Sequence, residues 1–476
     1  MTKRPLFTRR SAIPAATLAG ILIVLGAVGW WAHSLRVAAK VTPGGEGVAA
    51  IPGVVTVQLH QGQLSYACAP GVVDPAELSA EEGLLEMWSA TDLEVYPLTG
   101  GGLGIHVETS ALGSGSMDAI GFAGNKSGDL ASFVPASCML PASELVLAAG
   151  STVTGESTVL ILSNPSATAV SAKVHVLSPL GSLDDAADTG QDVLVPAEST
   201  VTVLPAVWVP GEGRLGLFIE SDGLGVAAWL QSSGLDGEVP VGLGRLTGQV
   251  PSDQVLLLGV SPDAHDIVRI ANPNTSPVNT AISVLATDGT SPLPGADDVQ
   301  VEGRTVFDVE VGDLPDDAMA LLVTSDAPVG ASVTEAYEGD AFAKNSALNV
   351  GVRTLVGAAN PVEEVRLPSV LEIKRLSNAV GAELLEADLI LANTSSRSST
   401  VRIGDRSVWV EAGAVFSVDL SEDEDIVDLE VEDSGSVFAV VLLEAKTDSG
   451  LTRSVVTLPQ DEASRNRQQI VLRPYR

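Results

Sequence analysis

Aromatic side chains are scarce: Phe, Trp and Tyr together make up 4% of the 476 residues. A chain this poor in stacking surfaces can present a ring to a sugar or a base only at a few isolated positions. Histidine is scarcer still. His33, His60, His106, His175 and His265 are the whole set, and none pair at i, i+2 or i, i+4. With no H-E-x-x-H motif and no Cys–His cluster, the usual zinc arrangements are excluded. His175 alternates with Val174 and Val176, which places it on the solvent side of a strand. Positive charge is the third shortage, with 26 Lys and Arg against 60 Asp and Glu, a net charge of −34. Six basic residues and no acidic ones lie in residues 1–40, so removing them from the total leaves −40 on the rest. Such a surface repels nucleic acid, which excludes DNA and RNA as partners. Catalytic motifs are missing as well. Gly113-Ser114-Gly115-Ser116 lacks the spacing of a nucleophile elbow, and Gly242-Leu243-Gly244-Arg245-Leu246-Thr247 lacks the third glycine of a dinucleotide fingerprint.

What the chain does have begins with one long apolar run. Residues 13–32, IPAATLAGILIVLGAVGWWA, contain no charge. At 1.5 Å per residue a helix of this length spans a hydrocarbon core of about 30 Å. Trp30 and Trp31 suit the interface, and the basic residues 1–12 stay in the cytoplasm by the positive-inside rule. A cleaved signal peptide is the alternative, but the run is long for one and no clean A-x-A site follows directly. The expectation is a single N-terminal transmembrane helix, a linker over residues 33–52, and an extracytoplasmic remainder. Cys68 and Cys138 lie beyond the helix, where an oxidising compartment favours a disulfide over two free thiols.

Past residue 53 the apolar stretches are short, rich in Val, Leu and Ala, and punctuated by Gly, Pro, Asn, Asp and Ser, which is a strand-and-turn pattern. Helical periodicity is weak, with Pro75–Trp88 the one plausible short helix. A repeat is visible: PASELVLAAG, PSDQVLLLGV and PVEEVRLPSV start at Pro141, Pro251 and Pro361, 110 residues apart. Each is followed by a strand ending on asparagine, at Asn164, Asn272 and Asn393. Each unit closes on a strand pair with Ser-Asp-Gly, Ser-Asp-Ala-Pro or a related turn between the strands, which reads as a hairpin. About seven strands in roughly 100 residues predict an all-β fold of tandem immunoglobulin-like β-sandwiches. The repeats cover residues 141–250, 251–360 and 361–460, behind a divergent β-domain at 53–140 and before a basic tail at 461–476. The third unit carries an insertion after Val370.

The basic start and anchor, the early cysteine pair and the recurring L-x-L-x-NP … V-x-V-P-A strands resemble a family of actinobacterial membrane-anchored proteins without an assigned function. That resemblance implies an envelope setting and brings no catalytic residue or cofactor with it. Three further features could carry a ligand. Asp184, Asp185, Asp188 and Asp192 lie close enough in one loop to hold calcium, although their spacing is not that of an EF-hand and solvated surface charge is the favoured reading. Trp208, between Pro205 and Pro210, is the candidate glycan platform, whereas Trp229 reads as core. The recurring Asn-Pro step fits turn geometry. The basic tail could dock on the chain's own acidic domains or on a partner. The reading is a non-catalytic, single-pass envelope scaffold, in which tandem repeats act as a spacer and meet a protein partner or, alternatively, a glycan.

Overall fold

The computed structural model describes residues 54–58, 63–80, 85–90, 93–108, 118–182, 190–237, 239–262, 264–312, 314–337, 352–420, 427–432, 437–448, 450–459 and 467–471. The expected membrane span at residues 13–32 lies outside them. Among the described residues no helix is long and apolar enough to cross a membrane. The fold is nearly all β, and it separates into two compact units, Met1–Gln58 with Arg467–Arg476, and Leu59–Asn466. In the first unit, strand β1 (Val54–Gln58) pairs antiparallel with the C-terminal strand Arg467–Val471. The basic tail is therefore held by a backbone ladder, and strand β1 belongs with the tail instead of opening the cysteine-bearing domain.

The second unit starts with β2 (Gln63–Cys68), β3 (Val73–Asp74), β4 (Ser79–Ala80), β5 (Leu85–Ser89), β6 (Glu94–Pro97), β7 (Leu103–Glu108), β8 (Ala119–Asn125), β9 (Ser132–Phe133) and β10 (Ala136–Ser137). One small sheet has the order β2-β7-β6 and another β10-β8-β5. A disulfide joins Cys68 to Cys138, both buried. The helix expected over Pro75–Trp88 does not form. Residues 75–78 make a turn in which the Asp74 carboxylate accepts from the Ala76 N–H at 2.7 Å, and Leu85–Ser89 pairs with β8. Sheet pairing that buries Trp88 outweighs a weak local helical pattern.

The first repeat holds β11 (Glu144–Leu147), β12 (Glu156–Asn164), β13 (Val170–Ser178), β14 (Gly181–Ser182), β15 (Gln191–Val195), β16 (Ser199–Val203), β17 (Gly216–Ser221), β18 (Ala227–Asp236) and β19 (Val239–Thr247). The second holds β20 (Ser252–Leu258), β21 (His265–Asn272), β22 (Val278–Ala286), β23 (Gly289–Pro292), β24 (Val299–Val301), β25 (Thr305–Val311), β26 (Ala320–Tyr337) and β27 (Val352–Val356). The third holds β28 (Glu364–Leu367), helix α1 (Val370–Ala379), β29 (Glu383–Asn393), β30 (Ser399–Ile403), β31 (Arg406–Val410), β32 (Val415–Asp419), β33 (Val427–Val431), β34 (Val437–Thr447) and β35 (Gly450–Thr457), and the tail strand is β36 (Arg467–Val471).

All three repeats share one pairing scheme. One sheet runs β16-β12-β18-β19 and its counterpart in the third repeat β32-β29-β34-β35; the facing sheets centre on β11-β17-β13 and on β28-β33-β30-β31. The second repeat follows suit, except that its 18-residue β26 serves both sheets, pairing with β22 up to Ser325, with β20 up to Val329, and with β21 and β27 from Gly330 on. The Ser-Asp-Gly connection is thus not a hairpin turn. It carries the chain from β17 in one sheet to β18 in the other, through Gly225 at φ 88°, where a Cβ would sit 2.3 Å from the Ala142 backbone. The insertion after Val370 forms helix α1, capped by the Ser369 hydroxyl accepting from the Glu372 N–H at 3.2 Å, with Ile373 and Leu376 buried. Ser-x-x-Glu at Ser369–Glu372 is the sequence signal for this helix.

The repeats do not string out as a spacer. Within Leu59–Asn466 the contacts run in a circuit, from the cysteine-bearing module to the first repeat, on to the second and third, and back. Apolar groups fill each seam: Val73 and Leu98 against Ile161 and Trp229, Leu177 and Phe218 against Ala271 and Val306, Leu256 and Leu285 against Ile390 and Val440. The third repeat returns to the first module through Trp88, Ile120 and Phe122, which share its core, and through the Arg366 N–H donating to Asp118 at 2.7 Å.

Each repeat is pinned internally by its recurring asparagine, fully buried in every case. The Asn272 Nδ2 donates to the carbonyls of Ser276, Val301 and Glu302 at 2.9–3.0 Å, while its Oδ1 accepts from the Asn274 N–H at 2.9 Å. Asn164 and Asn393 repeat the arrangement, tying the turn after one strand to the end of the strand opposite. Replacing Asn272 by Ala strands three carbonyls, at a cost of about 1 kcal/mol or more for each bond lost. The Asn272→Ala chain is expected to unfold at clearly lower urea, by about 3 kcal/mol, followed by tryptophan fluorescence.

Candidate functional site

The least ordinary chemistry in the chain sits where repeats meet. The last strand of each repeat (β19, β27, β35) sends one arginine back into the preceding module. Arg245 donates to the Pro70 and Gly71 carbonyls at 2.9 and 2.8 Å, and burial pushes its pKa down to about 10. Arg353 clasps the Glu156 carboxylate with both terminal nitrogens, Nη2–Oε1 being 2.8 Å, and reaches the Ser232 hydroxyl at 3.2 Å. Arg453 ion-pairs with Glu335 and donates to the Gly259 carbonyl at 2.6 Å. Arg353 and Arg453 are equivalent by strand register, opposite Ala336 and Glu444, and Arg245 lies two residues further along the same face. A fourth arginine, Arg269, holds Asp308 through two bonds of 2.7 and 2.9 Å and donates to the Gly150 and Leu215 carbonyls of the first repeat.

The seam between the second and third repeats differs from the others. Asp266 on β21 stands directly opposite Glu335 on β26, and both are buried, at 3% and 0% exposure. Glu335 is satisfied, its Oε1 accepting from the Ser261 N–H at 2.7 Å and its Oε2 from Arg453. Neither oxygen of Asp266 has a hydrogen-bond partner. Burial first, and the Glu335 charge second, raise the Asp266 pKa to about 8 against the opposing pull of Arg453. Beyond Arg453 lies a run of acids on the third repeat. Burial raises the Glu444 pKa against the pull of Arg453, and Asp388 rises to about 6 through burial and then Glu386, Asp419 and Glu444. Among the described residues no three His, Cys, Asp or Glu side chains are grouped so as to hold a metal ion.

The residues singled out from the sequence fare unevenly. His175 is on the outer face of β13, a face that packs on the second repeat through Leu177 and Phe218: the ring is 2% exposed, stacks on Phe218 and meets Glu220 at 3.0 Å. Strand alternation assigned the side correctly and could not show that a neighbouring module packs on that face. Trp208 follows a 3-10 turn, Pro205–Val207, and is half-buried, packed against the core of the first repeat. Among the described tryptophans the exposed one is Trp409 on the edge strand β31, 58% exposed, its indole N–H donating to Glu411 at 3.0 Å. Trp229 is buried as expected, though in the seam with the first module instead of within its own sandwich. Asp192 is exposed, 4.0 Å from Lys173, whereas Asp184, Asp185 and Asp188 lie outside the described residues.

Fold and site together define a modular all-β protein whose buried charges are spent on joining modules. The chain belongs to a family of unknown function (DUF5719), whose profile matches residues 106–362. The match runs from the first module through the second repeat, and so includes Asp266 and Glu335 but not Arg453. Among curated proteins no match is found.

Removing Arg453 leaves two buried carboxyls without their cation, a loss of about 3–5 kcal/mol for a broken buried pair. Arg453→Met is expected to lower the unfolding temperature sharply, measured by calorimetry. Adding Glu335→Gln to that variant is expected to recover part of the loss, because the stranded charge is then gone.

Proposed function

We propose that this chain is a non-catalytic, single-pass protein of the cell envelope, its β modules outside the membrane and acting as an interaction partner or scaffold. The carrying observation is where the buried polar chemistry goes. Arg245, Arg269, Arg353 and Arg453 each close on carbonyls or carboxylates of an adjoining module, so these groups hold shape instead of facing a substrate. The uncharged run at residues 13–32 supplies the anchor in this reading, and the Cys68–Cys138 disulfide suits an oxidising compartment. We read each repeat as an immunoglobulin-like β-sandwich with a variation. It keeps the pairings of second with fifth strand and third with sixth, while the first and seventh strands have exchanged sheets. Within Leu59–Asn466 the modules pack on one another, and the chain as a whole carries a net charge of −34. In-cell cross-linking of the full chain, followed by mass spectrometry, is expected to capture one dominant envelope protein. Recovery of no protein partner, or turnover of an envelope polymer by the purified chain, would sink the reading.

A second reading, glycan binding, is favoured by Trp409. It stands opposite Thr400 on a sheet face where Arg402 pairs with Glu430, a flat mixture of one ring and polar groups of the sort that sugars stack on. Under this reading Trp409→Ala abolishes co-sedimentation with envelope polysaccharide, while Trp208→Ala leaves it unchanged.

A further inference from the structure

We propose that Asp266 is a buried proton-binding site, and that its proton keeps the seam between the second and third repeats closed. The argument starts from the count of charges at one place. On β21, Asp266 points into the end of the second repeat's sandwich, level with Glu335 on β26 and opposite Val311 on β25. Beyond Glu335, β27 contributes Thr354, whose hydroxyl donates to the Arg453 carbonyl at 3.1 Å. Of the described residues in the loop after β20, the Gly259 carbonyl and the Ser261 N–H reach this cluster. From the third repeat come Arg453 on β35, with Glu444 opposite it on β34 and Glu386 opposite Glu444 on β29. One guanidinium therefore serves a buried pair of carboxyls and is already engaged by Glu335 and Gly259. An ionised Asp266 would be a second buried anion with no donor of its own, which a protein interior does not tolerate cheaply. A proton removes that charge. The described side chains offer no metal-holding group in its place.

The rest of the chain supplies an internal control. Six residues before the recurring asparagine, where the second repeat has Asp266 opposite Glu335, the first repeat has Thr158 opposite Ser232 and the third Ala387 opposite Leu443. At the end of the first repeat the equivalent arginine, Arg353, meets the single carboxylate of Glu156. Among the described residues, this register position carries an acid pair in the second repeat and in neither of the others; the third repeat's Glu386–Glu444 pair sits one residue earlier, beside Arg453.

The direction follows from the raised pKa. Asp266 binds its proton more tightly in the closed seam, so its contribution is complete below the ordinary carboxylate range and is lost as pH rises through about 8. For a group of that pKa which ionises freely once the seam opens, opening should rise about tenfold between pH 7 and pH 9. The experiment is hydrogen exchange with mass spectrometry on the full chain, over that range, comparing wild type with Asp266→Asn at each pH to cancel the intrinsic rate. Amides of residues 259–261 and 451–456 report the seam, and those of residues 151–158 report the first repeat. The expected result is a tenfold rise at the seam in wild type relative to Asp266→Asn, and no difference at residues 151–158. Equal exchange in the two proteins at both pH values overturns the proposal. So does suppression of the wild-type rise by added calcium, which would make a cation, not a proton, the neutralising group. If Asp266→Asn does not fold, Glu335→Gln replaces it: Arg453 then serves Asp266 alone, and the transition should move to lower pH. An unmoved transition overturns the proposal equally.

Discussion

A sheet that is apolar on both faces cannot stand at a surface, and that constraint organises this molecule. In each repeat the sheet built on the asparagine-terminated strand turns Leu160 and Leu162, Val268 and Ile270, or Leu389 and Leu391 toward its own sandwich. Its other face carries Ile161 and Trp229, Ala271 and Val306, or Ile390 and Val440. A sandwich buries one face of each sheet; the remaining apolar face has to be covered by a neighbour. Stacking module on module does this, as in other repeat architectures, where stability is a sum of repeat and interface terms. Close packing at these seams is literal: a Cβ on Gly330 would sit 2.3 Å from the Val146 side chain of the first repeat.

Apolar stacking alone would leave the relative register of two flat faces loosely fixed. The arginines of the last strands supply that register. Arginine suits the task because its planar fork meets a carboxylate or two carbonyls at once and stays charged when buried. Arg353 and Arg453 occupy the same position in successive repeats, and Arg245 reaches bare carbonyls in a module that is not a repeat. The outer face of the third repeat is different in kind. It pairs Arg366 with Asp428 and Arg402 with Glu430 in solvent, where ion pairs add little stability but keep the face polar.

Much of this is legible in the sequence. The 110-residue period, the strand runs and the recurring Asn are local patterns, and the all-β fold follows from them. Asn164, Asn272 and Asn393 recur because each must satisfy the same set of carbonyls, a requirement carried by the residue type itself. Helix α1 was also available in principle through its Ser369–Glu372 start, yet a ten-residue helix inside an insertion gives little periodicity to detect.

What stayed hidden depends on which surfaces meet. Strand alternation put His175 on an outer face and could not show that this face packs on a second repeat and leaves the ring buried. The turn residues at Ser221-Asp222-Gly223 look the same whether the chain doubles back within a sheet or crosses to the facing one, and only the pairing of β18 with β12 decides. Asp266, Glu335 and Arg453 lie 69 and 118 residues apart, with no motif to join them. The class of fold, the period and the excess of acid are legible from the residues alone, because they depend on residue type and spacing. The tertiary structure alone decided which three charges share one buried place, because burial and the loss of solvent around a carboxyl belong to the contact between two modules and to neither one separately.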